Sequence, residues 1–246
     1  MDNNSISVVI PTFNEEKRIS KTLESINRYS LKTNLIKEVI LVDDGSRDNT
    51  VSVVANMPNI QFPLRILKNQ KNMGKGFSVK RGMLEATGDA ILFMDADGSV
   101  SIENLDKFTK EMKNADVVIA SIEVGGAKVV RDDNFFMRRF LGKMAKWLIK
   151  VVVLPGIYDS QRGFKLFSKK ARDIIFPKQT INRWGFDIEI LLIAKKTGFK
   201  IEELPIIWDN PRSDSVKIRS YLVSLYELFL IKINDLYGIY KNARKN

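Results

Sequence analysis

Short apolar, β-branched runs alternate with amphipathic stretches along the first half of the chain. This alternation is typical of repeated βα units around a largely parallel sheet. The apolar runs predict strands at residues 7–11, 38–43, 64–68, 90–95 and 116–121. The amphipathic stretches predict helices at 15–29, 49–55, 75–86 and 102–112, preceded by turn-forming or capping residues such as Asn14, Asp48 and Ser101. The pattern therefore indicates an α/β fold with a mainly parallel central sheet flanked by helices.

The second half of the chain has a less regular pattern. It predicts a polar loop at 123–134, a basic helical stretch at 135–153, a strand at 163–167, a helix at 186–196 and a strand at 200–208. A long helix is predicted from about residue 215 to residue 240. Because no repeat or linker interrupts the chain, we predict one domain over residues 1–214. A C-terminal amphipathic segment, 215–246, is expected to pack on that domain or on a membrane surface.

Cysteine and histidine are both absent from the 246 residues. Their absence excludes disulfide scaffolds, Cys/His zinc sites, thiol nucleophiles and Ser-His or Cys-His catalytic arrangements. The chemistry must therefore use carboxylates, amides, hydroxyls, Lys and Arg, or a hard metal. The 40 Lys and Arg residues against 29 Asp and Glu give a net charge of +11. This charge favours anionic partners: nucleic acid, an anionic membrane face or phosphorylated small molecules.

The N-terminal residues have neither a basic start nor a long apolar run, so we expect no signal peptide and a cytosolic chain. The longest apolar stretches, 147–154 and 221–231, are shorter than the roughly 20 residues that a spanning helix needs. Lys150 and Glu227 also interrupt them. The sequence thus predicts no transmembrane segment.

Acidic residues follow three of the predicted strands. Glu15 comes after the first strand, Asp43 and Asp44 end the second, and Asp95 and Asp97 follow the fourth. Open α/β sheets bind ligands at the carboxyl ends of their strands, so these side chains are expected to share one edge. Asp-x-Asp supplies oxygen ligands that suit Mg²⁺ or Mn²⁺ and substrate phosphates. The alternative is that each acid caps a helix or closes a turn.

A glycine-containing loop at 69–76 lies between the second and third acidic clusters and precedes a predicted helix. Its backbone N–H groups and Lys75 could bind an anion, although an ordinary loop and helix cap explain the same residues. The glycine spacing fits neither a Walker loop nor the dinucleotide fingerprint, so neither an ATPase nor a nicotinamide enzyme is supported.

These motifs together resemble those of a known family. The segments 8–15, 42–46 and 95–98 resemble family 2 glycosyltransferases of the GT-A fold in order, spacing and strand placement. Within that family, 72–76, 159–165 and 183–189 resemble the polyprenyl-phosphate glycosyltransferases, above all dolichyl-phosphate β-glucosyltransferases, with dolichyl-phosphate mannose synthases as near relatives. The resemblance covers residues 6 to about 220 and implies a nucleotide-sugar transferase fold.

The resemblance also implies roles for individual residues. The base and ribose of a UDP- or GDP-sugar are expected against Pro11, Thr12, Glu15, Asp43 and Asp44. Asp95, Ala96 and Asp97 are expected beside the diphosphate and a Mg²⁺ or Mn²⁺ ion, with Asp95 and Asp97 as the metal ligands and Asp97 the more direct one. The sugar and the acceptor are expected among Asp159, Gln161, Trp184 and Asp187.

The acceptor-phosphate site departs from the family pattern. Related synthases carry a Ser-Arg pair after the fifth strand, whereas here Ser121 is followed by Ile122 and Glu123. Another arginine must therefore bind the acceptor phosphate, and Arg131, Arg138 and Arg139 are unranked candidates. Gln161 and Arg162 are further predicted contacts of this phosphate. By the same resemblance, the loop before the C-terminal helix offers the anion contacts Arg212, Ser215 and Lys217, although a capped helix start explains this loop equally well.

The expected reaction is an inverting, metal-dependent transfer of a hexose, glucose from UDP-glucose, to a polyprenyl or dolichyl phosphate. A lipid phosphate is already anionic, so no strong base is needed, which agrees with the absence of histidine. A sugar-hydroxyl acceptor would need a carboxylate base, Asp187 or Asp159. Two enzyme alternatives remain: mannose transfer from GDP-mannose, and extension of a soluble or polymeric glycan. We expect no nucleic-acid partner, because the acidic edge would repel phosphates without a metal.

A lipid acceptor requires contact with a membrane, for which two segments qualify. The basic stripe of Arg139, Lys143, Lys146 and Lys150 lies on an aromatic, amphipathic helical stretch of the kind that binds anionic lipid. The C-terminal helix is apolar on more than one side and needs a second contact besides the core, either lipid or another copy of the chain. We therefore expect a peripheral protein on the cytoplasmic face of a membrane, with homo-oligomerisation as an alternative.

Overall fold

The structure is a computed structural model that describes residues 5–130, 153–209 and 218–241. The strands are β1 (Ile6–Thr12), β2 (Ile36–Asp43), β3 (Leu64–Lys68), β4 (Ala90–Met94), β5 (Val117–Ser121), β6 (Lys128–Val129), β7 (Phe164–Ser168), β8 (Ile201–Pro205) and β9 (Ile207–Trp208). The helices are α1 (Ile19–Thr33), α2 (Thr50–Ala55), α3 (Lys75–Glu85), α4 (Leu105–Glu111), α5 (Lys169–Lys178), α6 (Phe186–Lys196) and α7 (Ile218–Leu236).

Seven strands form one sheet in the order β3-β2-β1-β4-β7-β5-β8. Every neighbouring pair is parallel except those of β7, which runs antiparallel to β4 and to β5. The predicted mainly parallel sheet is thus confirmed. Because β7 is reversed, its first residue, Phe164, pairs with Met94 at the end of β4. The segment that leads into β7 therefore reaches the edge where the parallel strands end.

The first helix begins four residues later than the pattern predicts, at Ile19 instead of residue 15. The backbone N–H groups of residues 14–16 donate to side chains of the β2–α2 loop and the start of α2, namely Ser46 Oγ, Thr50 Oγ1 and Asp48 Oδ2. Asn14 adopts a left-handed conformation with φ 57°. The residues after β1 are thus held against the next loop before the helix can begin.

The predicted strand at 200–208 is two strands, β8 and β9. Ile206 lies between them and donates its N–H to the carbonyl of Ser121. After this residue the chain leaves the large sheet, and β9 pairs in parallel with β6 in a separate two-stranded sheet. An uninterrupted apolar pattern in the sequence does not show where a strand leaves one sheet and pairs in another.

Helix α5 is absent from the sequence-based prediction. It follows β7 directly, and the side chain of Ser168 caps it by accepting a hydrogen bond from Ala171 N–H at 3.1 Å. The helix begins with two lysines and contains Pro177 near its end, which weakens its apolar periodicity. The capping serine was the signal that could have located it.

The core has one apolar cluster on each face of the sheet. Alternate strand residues face opposite clusters: Val9 and Ile40 pack with α3, α5 and α6, whereas Val8 and Leu41 pack with α1 and α4. Helix α3 lies very close to the sheet, because a Cβ on Gly82 would be 2.4 Å from Val9 Cγ1. This close packing positions the first residue of α3 at the carboxyl edge of the strands.

The C-terminal helix is confirmed, with α7 at Ile218–Leu236. Leu228, Ile231 and Tyr240 are buried in the cluster that contains α6. Lys196 at the end of α6 forms an ion pair with Asp235 at 2.9 Å. No helix in the described parts of the chain has the length and apolar character needed to cross a membrane.

At the opposite edge of the sheet, buried Glu38 predicts a pH dependence of folding. Burial raises its pKa, but hydrogen bonds from Thr87 and Ser7 and the nearby Arg65 outweigh this and lower the pKa to about 2. The unfolded chain therefore binds more protons, so the stabilisation is complete above about pH 5 and is lost as the pH falls towards 2. We expect Glu38→Gln to lower the free energy of unfolding by about 2–3 kcal/mol at pH 7.

Urea unfolding of the wild type and Glu38→Gln at pH 7 and at pH 2.5 measures this difference. The difference in the free energy of unfolding between the two proteins should shrink strongly at pH 2.5. An equal difference at both pH values would contradict the assignment.

Candidate active site

The carboxylate of Asp44 organises the loop between β3 and α3. Asp44 donates its backbone N–H to the carbonyl of Thr12 at 2.8 Å, which joins the ends of β1 and β2. Its Oδ1 accepts from Asn69 Nδ2 and from Met73 N–H, each at 2.8 Å, and its Oδ2 accepts from Gly74 N–H at 2.9 Å. The buried side chain therefore fixes the glycine-containing loop at the carboxyl edge.

The neighbouring predicted residues lie at the same edge. Pro11, Thr12 and Asp43 are buried at the ends of β1 and β2, and both Asp43 oxygens accept from Ser46 N–H at 3.3 Å. Gly45 has φ 76°, and a Cβ there would be 2.8 Å from the carbonyl carbon of Lys71. The loop after β2 thus touches the loop after β3, and only glycine permits this approach.

Glu15 joins the acidic residues after β4 across the sheet edge. Burial raises its pKa and the negative charges of Asp97 and Asp95 raise it further, although Arg18 opposes them. Arg18 holds the carboxylate with two hydrogen bonds, at 2.6 Å and 2.7 Å. The charges of Asp95 and Asp97 thus act on Glu15, as expected for acids that follow the neighbouring strands β1 and β4.

Lys75 is the cation at the centre of this edge. Its Nζ lies 2.6 Å from Asp95 Oδ1 and 5.4 Å and 5.8 Å from the ring centroids of Phe93 and Trp184. Burial alone would lower the pKa of Lys75, but the carboxylates of Asp95 and Asp187 outweigh it and raise the pKa. The ammonium group is therefore charged at neutral pH, where it can neutralise an anionic ligand.

The reversed strand β7 delivers Gly163 directly to Asp95. Asp95 N–H donates to the carbonyl of Gly163 at 2.9 Å. A Cβ at position 163 would be 2.0 Å from Asp95 Oδ2, so a larger residue would displace this carboxylate. Sequence reasoning missed this role of Gly163, because it depends on the antiparallel partner of β4.

The turn after β4 presents Asp97 at the same edge. Its Oδ1 accepts from Ser99 N–H at 2.9 Å, and the residue is half-buried. The carbonyl of the adjacent Ala96 accepts from Thr22 Oγ1 at 2.7 Å, which fixes the turn to α1. Gly98 completes the turn with φ 69°.

On the other side of the edge, Asp159 is buried among partners. Its Oδ2 accepts from Ile122 N–H at 3.1 Å and from Arg162 Nε at 2.9 Å, and its own N–H donates to Glu203 at 3.0 Å. The Arg162 guanidinium carbon lies 4.4 Å from the ring centroid of Trp208. Asp159 thus fixes Arg162, whereas the neighbouring Gln161 is exposed.

A buried ion pair joins β7 to the first turn of α6. Lys165 is fully buried, and its Nζ lies 2.5 Å from Asp187 Oδ1 and 2.5 Å from the carbonyl of Arg162. Burial raises the pKa of Asp187, while Lys165 and Lys75 oppose this effect. Sequence reasoning singled out Asp187 of motif 183–189 but not its partner, Lys165, although Lys165 lies in motif 159–165, which carries the same resemblance.

Most of the chain matches a known protein family. The family "Glycosyl transferase family 2" matches residues 7–176 of the chain. The chain belongs to glycosyl transferase family 2. This family 2 glycosyltransferase is 36% identical over 249 residues to a dolichyl-phosphate beta-glucosyltransferase of Trichomonas vaginalis, covering 96% of this chain and 75% of that protein. The corresponding Saccharomyces cerevisiae protein is 31% identical over 259 residues, covering 98% of this chain and 78% of that protein.

The fold of this glycosyltransferase also matches solved structures. Glucosyl-3-phosphoglycerate synthase from Mycobacterium tuberculosis, crystallised with Mn²⁺, UDP and glucosyl-3-phosphoglycerate, aligns with a TM-score of 0.69 at 17% identity. The alignment covers 94% of this chain and 79% of that chain. The predicted GT-A fold is thereby confirmed.

The carboxylate oxygens at this edge fit a hard divalent metal ion whose coordination is completed by a bound ligand. Within residues 5–130, 153–209 and 218–241, no group of three or more acidic, His or Cys side chains is arranged to hold a metal by itself. Asp95 and Asp97 nevertheless supply two carboxylates, and Mg²⁺ commonly binds one or two carboxylates together with substrate phosphates. The arrangement suits a metal that binds along with a diphosphate.

Six predicted acceptor-phosphate residues of the glycosyltransferase lie outside the described residues. They are Arg131, Arg138, Arg139, Arg212, Ser215 and Lys217. The predicted basic stretch at 135–153 also falls outside them, apart from its last residue. Gln161 and Arg162 are the predicted acceptor residues that lie within the described parts of the chain.

Proposed function

We propose that this glycosyltransferase transfers glucose from UDP-glucose to dolichyl phosphate, forming a lipid-linked sugar phosphate. The observation that carries the proposal is its similarity to dolichyl-phosphate beta-glucosyltransferases over nearly the whole chain. Transfer from GDP-mannose and extension of a soluble glycan are the less favoured alternatives, because these relatives are named for glucose and dolichyl phosphate.

In this proposal the carboxyl edge of the sheet binds the donor. Pro11, Thr12, Glu15 and Asp43 would contact the uridine, and Asp44 would hold the loop that closes beside it. Asp95 and Asp97 would hold Mg²⁺ or Mn²⁺, which supplies a positive charge to the diphosphate as it leaves. Lys75 adds a second positive charge close to the same carboxylates.

The partners of Asp159 and Asp187 favour a phosphate acceptor over a hydroxyl acceptor. A hydroxyl acceptor needs a free carboxylate to take its proton. Asp159 is instead paired with Arg162, and Asp187 with Lys165. A phosphate monoester attacks as an anion without losing a proton, and Arg162 is a cation suited to binding it. A single displacement at the anomeric carbon then inverts its configuration.

The proposed reaction is tested by incubating the chain with labelled UDP-glucose or GDP-mannose and with dolichyl phosphate or dolichol. Label should enter the lipid only from UDP-glucose and only with dolichyl phosphate. Transfer from GDP-mannose alone would replace the donor assignment, and transfer to a soluble glycan but not to lipid would replace the acceptor assignment.

A lipid acceptor also requires a membrane contact, which we assign to α7. Leu225, Tyr226, Phe229 and Leu236 are 50%, 62%, 63% and 75% exposed, and Tyr237 directly after the helix is 83% exposed. Their spacing places them along one side of the helix, opposite the buried Leu228 and Ile231. With a net charge of +11, this surface suits an anionic bilayer, and we place the protein on the cytoplasmic face.

We expect Phe229→Ser with Leu236→Ser to weaken binding to phosphatidylserine-containing vesicles by at least about tenfold, because each removes a large apolar side chain from the bilayer. Flotation of the protein with vesicles measures this binding. Leu31→Ser is the matched control, since Leu31 is 64% exposed on α1, away from this surface. Unchanged flotation together with loss of a dimer in sedimentation would assign the surface to a second copy instead.

A further inference from the structure

The segment 180–185 lies between the start of α3 and the side of α7. Gly76 N–H and Phe77 N–H donate to the carbonyls of Arg183 and Asn182, at 3.2 Å and 3.0 Å. A Cβ on Gly74 would be 2.3 Å from the carbonyl oxygen of Asn182, and one on Gly76 would be 2.7 Å from that of Ile181. Gly74 and Gly76 are therefore needed where this segment crosses the start of α3.

Two buried carboxylates hold the two ends of this segment. At its start, Glu189 of α6 accepts from Thr180 N–H and Ile181 N–H at 2.9 Å and 2.8 Å, and from the hydroxyl of Tyr240 at 2.8 Å. At its end, Glu227 of α7 accepts from Gly185 N–H at 2.8 Å. The segment is thus fixed from α6 at one end and from α7 at the other.

Glu227 makes a closer contact than one hydrogen bond indicates. The N–H groups of Trp184 and Arg183 also lower its pKa, although burial raises the pKa overall. A Cβ on Gly185 would lie 2.9 Å from Glu227 Cβ, so glycine at that position lets α7 approach the backbone. These N–H groups precede the first turn of α6, where the helix dipole favours an anion.

The segment that Glu227 holds carries groups of the donor site. Trp184 lies 5.8 Å from Lys75 Nζ, and two residues after Gly185 the chain reaches Asp187, the partner of Lys165. A shift of residues 183–185 would therefore move the ring beside Lys75 and the first turn that carries Asp187. The carboxylate that accepts from Gly185 N–H at this end of the segment comes from α7.

We infer that Glu227 is a positioning residue that fixes residues 183–187 against α3 and so completes the donor site from the C-terminal helix. This inference rests on the proposed function for its statement about the donor. The same helix carries the exposed apolar surface on another side, so donor site and membrane contact share one rigid element.

Glu227→Gln tests the inference, because glutamine has nearly the same shape but no negative charge to hold Gly185 N–H and the backbone beside it. Asp235→Asn is the matched control: it removes a carboxylate from the same helix, where it pairs with Lys196 at the far end of α6. Glu227→Asp keeps the charge and should lie between the wild type and Glu227→Gln. Hydrogen exchange of peptides covering 180–189 and the Kd of UDP with Mn²⁺ are measured for all four proteins.

The inference predicts faster exchange at 183–187 in Glu227→Gln and a Kd for UDP raised about tenfold, as for the loss of a hydrogen bond to a charged group. Asp235→Asn should leave both within about twofold of the wild type. Unchanged exchange in Glu227→Gln would overturn the inference, as would faster exchange with unchanged UDP binding. A wild-type chain that does not bind UDP would contradict the proposed function, while exchange alone would still decide whether Glu227 holds the segment.

Discussion

Replacing Asp97 with asparagine is expected to lower the rate of glucosyl transfer by about 10²- to 10³-fold. Asp97 is half-buried at the turn after β4, where Oδ1 is already held by Ser99 N–H at 2.9 Å. Asparagine keeps this turn but removes one of the two negative charges available to a metal. The loss should therefore appear in the chemical step and in metal affinity, with little change in folding.

Steady-state rates with UDP-glucose at several Mn²⁺ concentrations measure this effect. Glu24→Gln is the control, because it removes an exposed carboxylate from α1 and should retain full activity. If Asp97→Asn kept more than about a tenth of the wild-type rate at saturating Mn²⁺, Asp97 would not be a metal ligand of the reacting complex.

Replacing Lys165 with methionine is expected to lower the free energy of unfolding by about 3–5 kcal/mol. Lys165 is fully buried with its Nζ 2.5 Å from Asp187 Oδ1, so its removal leaves a buried carboxylate without its closest cation. Chemical denaturation measures the change. Transfer activity should also fall, because Asp187 lies in the first turn of α6, directly after the segment that carries Trp184.

The double variant Lys165→Met with Asp187→Leu separates the two effects. Because both charges are then absent, stability should recover to within about 1–2 kcal/mol of the wild type. Activity should stay low, because the double variant does not restore the carboxylate. A double variant as unstable as Lys165→Met alone would show that the loss comes from packing and not from the unpaired charge.

The sequence predicts the donor side of the site better than any other part of the molecule. Strand ends in a parallel sheet share one edge, so acids directly after β1, β2 and β4 can be placed together from their positions alone. The negative charges of Asp97 and Asp95 raise the pKa of Glu15, which agrees with that reasoning. The role of Asp44 was less predictable, because its carboxylate binds backbone N–H groups about 30 residues away.

Contacts that depend on the second half of the chain could not be predicted in the same way. Gly163 reaches Asp95 only because β7 is antiparallel between β4 and β5, and the pattern of a single strand does not report its direction. Glu227 interrupts an apolar helix, and from the sequence alone it only breaks a possible membrane span. Its partner, Gly185, is 42 residues away and contributes a backbone group that leaves no sequence signal.

Glucosyl transfer itself is measured by the appearance of labelled glucose in a lipid phase containing dolichyl phosphate, with UDP-glucose as donor. We expect a lipid product that forms with Mn²⁺ or Mg²⁺, is lost with a chelator, and carries glucose in the β configuration. If UDP binds with metal but no label enters the lipid under any of these conditions, the assignment of dolichyl phosphate as acceptor is wrong.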